Sequence, residues 1–195
     1  MSCLKGHIGV LVFTLIWLGC SSMSWAFSPR YNLYGNARVI EVEAPNLVKL
    51  KMANHERTVT ARLIGVGSPK NKDRVRGLNP EVQSFISRNG IWEVSRNYVK
   101  TILLYKTVEV WARRWDAYDD KNRLLAYIRV PSEKTDPVDV NAEIIRRGLG
   151  FVTRDYVHVT YVDYRHLEDD AKKNRRGLWQ GLPLDRISLH GNQEN

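Results

Sequence analysis

The chain contains 195 residues, of which 43% are hydrophobic and 26% are charged. This length suits one domain, and the apolar and aromatic content excludes a wholly disordered chain. Lys and Arg total 30 against 21 Asp and Glu, so the formal net charge is +9 and the sequence pI is about 9.7. This excess favours an anionic partner such as nucleic acid, an acidic polysaccharide or a membrane surface, and it does not choose among them.

Residues 1–26 have the pattern of a secretory signal peptide. A lysine precedes the apolar run 8–18, which is too short to span a bilayer as a helix, and small and polar residues follow it. Ser24-Trp25-Ala26 is similar to a signal peptidase site, which predicts cleavage before Phe27 and a periplasmic or secreted protein. Two alternatives stay open: a lipoprotein anchored at Cys20, and a buried N-terminal helix.

The predicted signal peptide determines the cysteine content of the mature chain. Cys3 and Cys20 are the only two cysteines, and both lie within the predicted signal peptide. The mature chain would therefore contain neither disulfides nor thiolate metal sites. We also expect no transmembrane span in the mature chain, and a monomer.

The mature chain shows two kinds of hydrophobic periodicity. The period-two alternation of half-buried strands occurs in five segments: 38–43, 46–52, 57–64, 107–113 and 124–130. A period of three to four predicts helices over 91–105, 139–147 and 163–176, the second of them capped by Asp139. The basic segment 65–79, which contains Gly and Pro, is predicted as a loop.

The order of these elements predicts an α+β fold that is mainly β. Because strands and helices do not alternate regularly, we expect a small closed antiparallel barrel of five strands with packed helices. The predicted organisation is a signal peptide (1–26), an N-terminal lead (27–37), one domain (38–179) and a flexible tail (180–195).

Five motifs in one order resemble a known family. They are VIEV (39–42), TARLIGVGSP (60–69), NRLLAYI (122–128), VNAE through RGL (140–149) and AKK through RGLW (171–179). Together they resemble the staphylococcal nuclease (thermonuclease) family over about residues 37–179. The resemblance implies an oligonucleotide-binding (OB) barrel of five strands with three helices, which agrees with the periodicity.

The resemblance also implies a chemistry. Members cleave DNA and RNA phosphodiesters with one Ca²⁺, which two Asp carboxylates and a backbone carbonyl hold. A Glu activates the attacking water, and two Arg bind the phosphate and stabilise its added charge. A hard cation prefers anionic oxygens, and a crowded phosphate needs fixed positive donors, so the residue types suit the reaction.

Both arginine positions of the family are occupied, by Arg62 and Arg123. The resemblance therefore makes these two residues candidates for catalysis and for nucleic-acid binding. Lys70 stands at the general-base position and is a further candidate for both roles, and Arg113 is a candidate nucleic-acid contact. Each arginine could instead be a structural ion-pair partner, Arg123 with the neighbouring aspartates of its turn.

The metal positions depart from the family pattern. Its Asp-Gly-Asp-Thr stretch falls on 44–47, with Asn46 in place of the second acid, and its Asp-Thr-Pro-Glu stretch falls on 67–70, beginning with Gly67 and Ser68. Neutral oxygens bind calcium poorly, and a lysine about 5 Å from the ion would add roughly 6 kcal/mol of repulsion at an effective dielectric near 20. A slipped alignment, with more inserted residues, would place Glu41 and Glu43 at the acids.

Other basic and aromatic residues have two interpretations each. Trp111 and Trp115 flank two arginines and could stack on bases or pack at the rim of the core. The basic run 172–176 is interpreted as the solvent-facing side of the last helix. His55, His158 and His166 lack the spacing of metal ligands.

Two functional classes follow from these residues. The first is an exported phosphodiesterase of the thermonuclease type, weak or altered in its metal. The second is a non-catalytic module that binds nucleic acid or another phosphate polyanion. A protein-interaction scaffold is a third alternative.

Overall fold

The computed structural model describes residues 31–53, 57–68, 84–85 and 89–180. The predicted signal peptide, Lys70 and the residues after Gln180 lie outside these ranges. The strands are β1 (Tyr31–Ala44), β2 (Leu47–Met52), β3 (Thr58–Leu63), β4 (Val66–Gly67), β5 (Thr107–Arg113), β6 (Leu124–Val130), β7 (Val138–Asp139) and β8 (Phe151–Val152). The helices are α1 (Ile91–Leu103), α2 (Val140–Arg146) and α3 (Tyr161–Lys173), and a 3-10 turn follows at Gly177–Trp179.

Five strands close into a barrel. Strand β1 pairs antiparallel with β2 and with β5, β2 pairs antiparallel with β3, and β5 pairs antiparallel with β6. Strands β3 and β6 close the barrel through a parallel pair in which Leu63 lies opposite Ala126. The predicted five-stranded, mainly β barrel with three helices is confirmed, but the prediction of a wholly antiparallel barrel is wrong. The long connection through α1 and β5 lets β6 return parallel to β3.

Strand β1 begins at Tyr31, earlier than the predicted start at Arg38, so part of the predicted N-terminal lead belongs to the barrel. The Tyr31 ring is buried, and its centroid lies 5.0 Å from that of Tyr127. Shifts in register interrupt the pairing of β1 with both neighbours. Such bulges bend a strand, which allows β1 to curve from β2 to β5. They also break the alternation by which a strand is detected in sequence.

Alternate residues of the barrel strands fill its interior. Fully buried examples are Val39, Leu50, Ala61, Val110 and Ile128. Removing each large apolar side chain from water contributes about 1.5–3 kcal/mol to folding. Residues between these positions face outward, which is how the barrel carries polar groups on its surface.

Helix α2 is fixed where β3 and β6 meet. Asp139 caps the helix, since its side chain accepts a hydrogen bond from the backbone N–H of Ala142 at 3.1 Å. The buried Asn141 amide donates to the carbonyls of Ile64 (3.0 Å) and Ala126 (3.1 Å), and its oxygen accepts from the backbone N–H of Ile128 (3.2 Å). One side chain therefore ties the helix to β6 and to the residue that follows β3.

Helix α3 buries a residue that was predicted to face solvent. Lys172 is 5% exposed, its Nζ lies 2.9 Å from Glu168 Oε2, and it lies over the Trp179 ring at 4.9 Å. The interpretation of the basic run as a solvent-facing side is therefore wrong for Lys172, because the buried Glu168 carboxylate compensates its charge. Within the described ranges, no helix is long and apolar enough to cross a membrane.

Candidate functional site

Arg62 lies on the outer face of β3. Its neighbours Ala61 and Leu63 point into the core, so alternation turns the arginine outward. Its Nη2 lies 2.7 Å from Asp155 Oδ2, and its guanidinium carbon lies 5.1 Å from the centroid of the Tyr156 ring. The Arg62 side chain is 17% exposed and that of Asp155 is 57% exposed. The Asp155 carboxylate is therefore open to solvent, and another anion can compete with it for Arg62.

The loop that carries Asp155 and Tyr156 is anchored by His158. The imidazole Nε2 lies 3.3 Å from the carbonyl oxygen of Thr153, and Nδ1 lies 3.2 Å from the Thr160 hydroxyl. The ring packs on Gly65, where a Cβ would lie only 2.6 Å from His158 Cε1. Burial lowers the pKa of His158, and the hydrogen bond with Thr153 opposes this effect only in part. His158 is a neutral loop anchor.

Arg123 is held by Asp119 in the connection between β5 and β6. Asp119 Oδ2 lies 2.7 Å from the Arg123 Nε and 2.6 Å from its Nη2. The other carboxylate oxygen accepts from the backbone N–H groups of Arg123 (2.9 Å) and Lys121 (3.0 Å). Burial acts to raise the pKa of Asp119, but its hydrogen bonds with Arg123 and Lys121 outweigh burial and hold that pKa below the ordinary value. Arg123 thus forms the ion pair with a neighbouring aspartate that was one of its two interpretations. This ion pair with Asp119 fixes the guanidinium in one orientation.

Tyr156 connects the two arginines. Its hydroxyl donates a hydrogen bond to Asp119 Oδ2 at 3.4 Å, while its ring lies beneath Arg62. The structure therefore brings Arg62 and Arg123 to one tyrosine, although Arg62 lies in β3, Arg123 lies in the connection before β6 and neither is near residue 156 in sequence.

Sequence reasoning missed Asp155 and Tyr156. They lie in the segment between β8 and α3, where no periodicity singles them out. Their only sequence-level signal is chemical, an acid and an aromatic residue side by side in a polar connection.

The three positions aligned with metal ligands also lie close together. Asn46 is 8% exposed, and its Nδ2 donates to the carbonyl oxygen of Val66 at 2.9 Å, next to Gly67. The Ser68 Oγ is buried and has no hydrogen-bond partner among the described residues. A Cβ at Gly67 would lie 2.2 Å from Phe151 Cε2, so the Phe151 ring fills the space that a side chain at residue 67 would need.

These groups do not fit a calcium ion. Calcium takes six to eight oxygen ligands, several of them carboxylates. Here the Asn46 amide nitrogen faces a carbonyl, Ser68 supplies one neutral hydroxyl, and Phe151 covers Gly67 with an apolar ring. In the described part of the chain, no group of three or more His, Cys, Asp or Glu residues could hold a metal.

Glu41 and Glu43, the acids of the slipped alignment, share a lysine. Lys49 Nζ lies 2.9 Å from Glu41 Oε2 and 3.1 Å from Glu43 Oε1. Its hydrogen bonds with Glu41 and then Glu43 raise the pKa of Lys49. A cation could bind these two carboxylates only after Lys49 had left.

The other two candidates are not joined to this cluster by the described contacts. Arg113 is the last residue of β5 and lies opposite Tyr31 of β1, directly before Arg114 and Trp115. Lys70 lies outside the described residues, so its role stays a prediction.

Comparison with known proteins agrees with the fold. No curated protein matches the chain significantly. The family described as staphylococcal nuclease homologue matches residues 60–181, a range that begins within β3 and includes Arg62, Arg123 and all three helices. Members of this family generally depend on Ca²⁺. Since the match spans well over half of the sequence, the chain belongs to the staphylococcal nuclease homologue family.

Proposed function

We propose that this chain is an exported nucleic-acid-binding protein that recognises phosphate through Arg62 and Arg123. It hydrolyses phosphodiesters far more slowly than a family member with an intact calcium site. The observation that carries the proposal is the packing of Phe151 against Gly67, which fills the space of one metal ligand in a chain that has arginines at both phosphate-binding positions of the family pattern.

The two guanidinium groups suit a phosphate. Each arginine presents a planar fork of donors that can contact two phosphate oxygens at once. Asp119 orients Arg123, so little conformational freedom is lost there on binding. Asp155 is more than half exposed, and an exposed ion pair contributes at most about 1 kcal/mol. A phosphate can therefore replace Asp155 on Arg62.

Rapid hydrolysis needs a metal ion and a general base, and the described residues place no carboxylate at the positions that the family pattern assigns to them. Attack by water requires a base near the phosphate, and the added negative charge requires fixed cationic donors. The arginines meet the second requirement. Lys70, at the base position of the family pattern, cannot accept a proton while it is charged. Binding without fast cleavage is the outcome that these residue types favour.

Export is supported by the sequence of residues 1–26 alone. Mass spectrometry of the protein recovered from its native compartment tests it. A chain that begins at Phe27 is the expected result, a lipid-modified Cys20 would favour the lipoprotein alternative, and an uncleaved cytoplasmic chain would contradict export.

The first prediction concerns Arg62. In a fluorescence anisotropy titration with single-stranded DNA or RNA, affinity should fall steeply between about 50 and about 200 mM salt. Arg62→Ala should weaken binding about tenfold at low salt and reduce the salt slope by about 1, because one phosphate contact is lost. The fold should persist, since Asp155 is exposed and tolerates the loss of its partner.

Arg38→Ala is the matched control. Arg38 is an exposed arginine of β1, so its removal changes the net charge equally. Equal losses for both variants would show non-specific attraction to a basic protein and would contradict the phosphate site. Absence of salt-sensitive binding by the unaltered protein would contradict the proposed function itself.

A further inference from the structure

A second surface of this protein exposes large hydrophobic side chains, most of them aromatic. Leu33 (51%), Tyr34 (45%), Trp115 (71%) and Tyr118 (38%) are all exposed. They come from two segments only, the start of β1 and the connection between β5 and β6. A shift in register between Leu33 and Gly35 interrupts the pairing with β5, and two consecutive large side chains are exposed there.

Direct contacts join these two segments. The hydroxyl oxygens of Tyr34 and Tyr118 lie 3.0 Å apart in a hydrogen bond. Within the second segment, the guanidinium carbon of Arg114 lies 5.7 Å from the centroid of the Trp115 ring. In the amide orientation that satisfies both groups, the Asn32 oxygen accepts a hydrogen bond from Arg114 Nε at 3.1 Å. We call Tyr34, Arg114, Trp115 and Tyr118 the aromatic platform.

The charges around the platform are mixed, with a cation next to each ring system. Arg114 lies over Trp115, and the positive charge of Arg57 acts on Tyr118. The exposed acids of the same connection are Asp116 and Asp120, whereas Asp119 is bound to Arg123. Burial and the hydrogen bond with Tyr34 raise the pKa of Tyr118 to about 12, so its ring is uncharged at neutral pH.

The platform is continuous with the arginine site along the chain. Tyr118 forms a β-bridge with Leu124, and the backbone N–H of Asp119 donates to the carbonyl oxygen of Arg123 at 3.0 Å. The connection that presents Trp115 and Tyr118 is thus the one that holds Arg123. Trp115, Tyr118 and Arg123 are therefore all positioned by the one connection between β5 and β6.

We propose that the aromatic platform stacks unpaired bases of a single-stranded nucleic acid whose phosphate is held at Arg62 and Arg123. This inference rests on the proposed function. Aromatic side chains bind every base through its π-face, and a neighbouring arginine holds the backbone. In a duplex the base faces are already stacked, so the platform favours single strands.

The second prediction tests the platform with Trp115→Ala. Binding of a single strand of about twelve nucleotides should weaken about tenfold, which corresponds to about 1.4 kcal/mol and lies within the usual range for one stacked base. Binding of a dinucleotide, which occupies the arginine site alone, should stay unchanged. Trp115→Phe keeps an aromatic face and should retain most of the affinity.

Tyr105→Ala is the control variant. Tyr105 is 64% exposed and lies just before β5, whereas Trp115 lies just after it, so the control removes an exposed aromatic from the other end of the same strand. We expect the control to bind both oligonucleotides as the unaltered protein does. If it loses the same affinity as Trp115→Ala, general surface hydrophobicity is responsible and the platform is wrong.

The remaining outcomes separate this inference from the proposed function. If Arg62→Ala weakens dinucleotide binding while Trp115→Ala leaves the long strand unaffected, the platform is wrong and the arginine site stands. If Trp115→Ala weakens dinucleotide binding equally, Trp115 acts through Arg123 and the platform is again wrong. If sedimentation shows that Trp115→Ala abolishes self-association without changing DNA affinity, the surface binds protein and the inference is overturned.

Discussion

Two arginines with similar exposure differ in how they are held. The Arg62 and Arg123 side chains are 17% and 16% exposed, but their carboxylate partners are 57% and 0% exposed respectively. A buried partner is hard to displace because its charge would be left without compensation. An exposed partner can move into water at little cost. Under the proposed function, Asp155 is therefore the residue that an incoming phosphate would displace.

The third prediction follows from that competition. Asp155→Asn removes the negative charge that occupies Arg62, so affinity for single-stranded DNA at low salt should rise about threefold to tenfold. Stability should change by less than about 0.5 kcal/mol, because the pair lies at the surface. Anisotropy titrations and denaturant unfolding measure the two quantities.

Asp136→Asn provides the charge-matched control. Asp136 is exposed in the connection before β7, so this variant changes the net charge equally. A rise in affinity that is the same in both variants would reflect net charge alone. Unchanged affinity in Asp155→Asn would show that Asp155 does not obstruct phosphate.

Sequence reasoning identified Arg62 and Arg123 because both stand in motifs of the family. It did not identify Asp155 or Tyr156, which contact Arg62 across a large separation in sequence. Only closure of the barrel and the His158 anchor bring that loop to β3. Contacts of this kind depend on tertiary packing, which leaves no periodic signal in sequence.

At the scale of elements, the two-residue strands β4 and β8 decide what the metal region can hold. They pair antiparallel, with Gly67 opposite Phe151. The Phe151 ring is 7% exposed and lies over Gly67, at a point where any larger residue would collide with it. Gly67, which the family resemblance aligns with an acid, and Phe151 thus form one packing unit.

The fourth prediction is a double-mutant cycle on this unit. Gly67→Ala should lower the free energy of unfolding by about 1–3 kcal/mol, because a methyl group would overlap the Phe151 ring. In a Phe151→Leu background the same substitution should be much less costly, since the smaller side chain leaves room. Denaturant unfolding of the four proteins should give a coupling of about 0.5–3 kcal/mol.

Additive effects in the cycle would contradict the packing argument. They would show that the cost at residue 67 comes from the backbone rather than from Phe151. The Phe151→Leu single variant serves as the internal reference for the lost aromatic contacts.

Long, regular elements were predictable and short ones were not. The predicted ranges of β5 and β6 match the structure, because alternation marks β5 and a continuous apolar run marks β6. Strands β4, β7 and β8 have two residues each, too few for any period to appear. The parallel closure of β3 on β6 was missed for a different reason, since pairing direction follows from the path of the whole chain.

At the scale of the whole molecule, the capacity to bind a divalent cation depends on which carboxylates are already paired rather than on the net charge of +9. Several carboxylates are already bound to cations of the same chain. Glu143 pairs with Arg146 and Arg147, and Glu168 pairs with Arg165 and Lys172. Carboxylates held in this way are poor candidates for a divalent ion, because each would have to leave a positive partner first.

The fifth prediction is that the protein binds Ca²⁺ only weakly, because many of its carboxylates are already paired and the residues of the metal region do not fit the ion. A site with a dissociation constant of a millimolar or weaker stabilises the protein by no more than about 1.4 kcal/mol at about 10 mM Ca²⁺. For a chain of this size the melting temperature should therefore rise by only a few degrees at most. Plasmid and RNA cleavage should be slow and should not change when EDTA replaces Ca²⁺.

Magnesium at the same concentration controls for ionic strength, and single-stranded DNA provides a positive reference for a ligand that binds the folded state. A micromolar calcium site would instead add about 5 kcal/mol at about 10 mM Ca²⁺, an effect too large to overlook in a thermal scan. That result, with EDTA-sensitive cleavage, would mean that carboxylates outside the described ranges complete a metal site and that Phe151 does not prevent it. A small shift equal to that of magnesium would mean that this chain, although a member of the family, does not bind the calcium ion on which members generally depend.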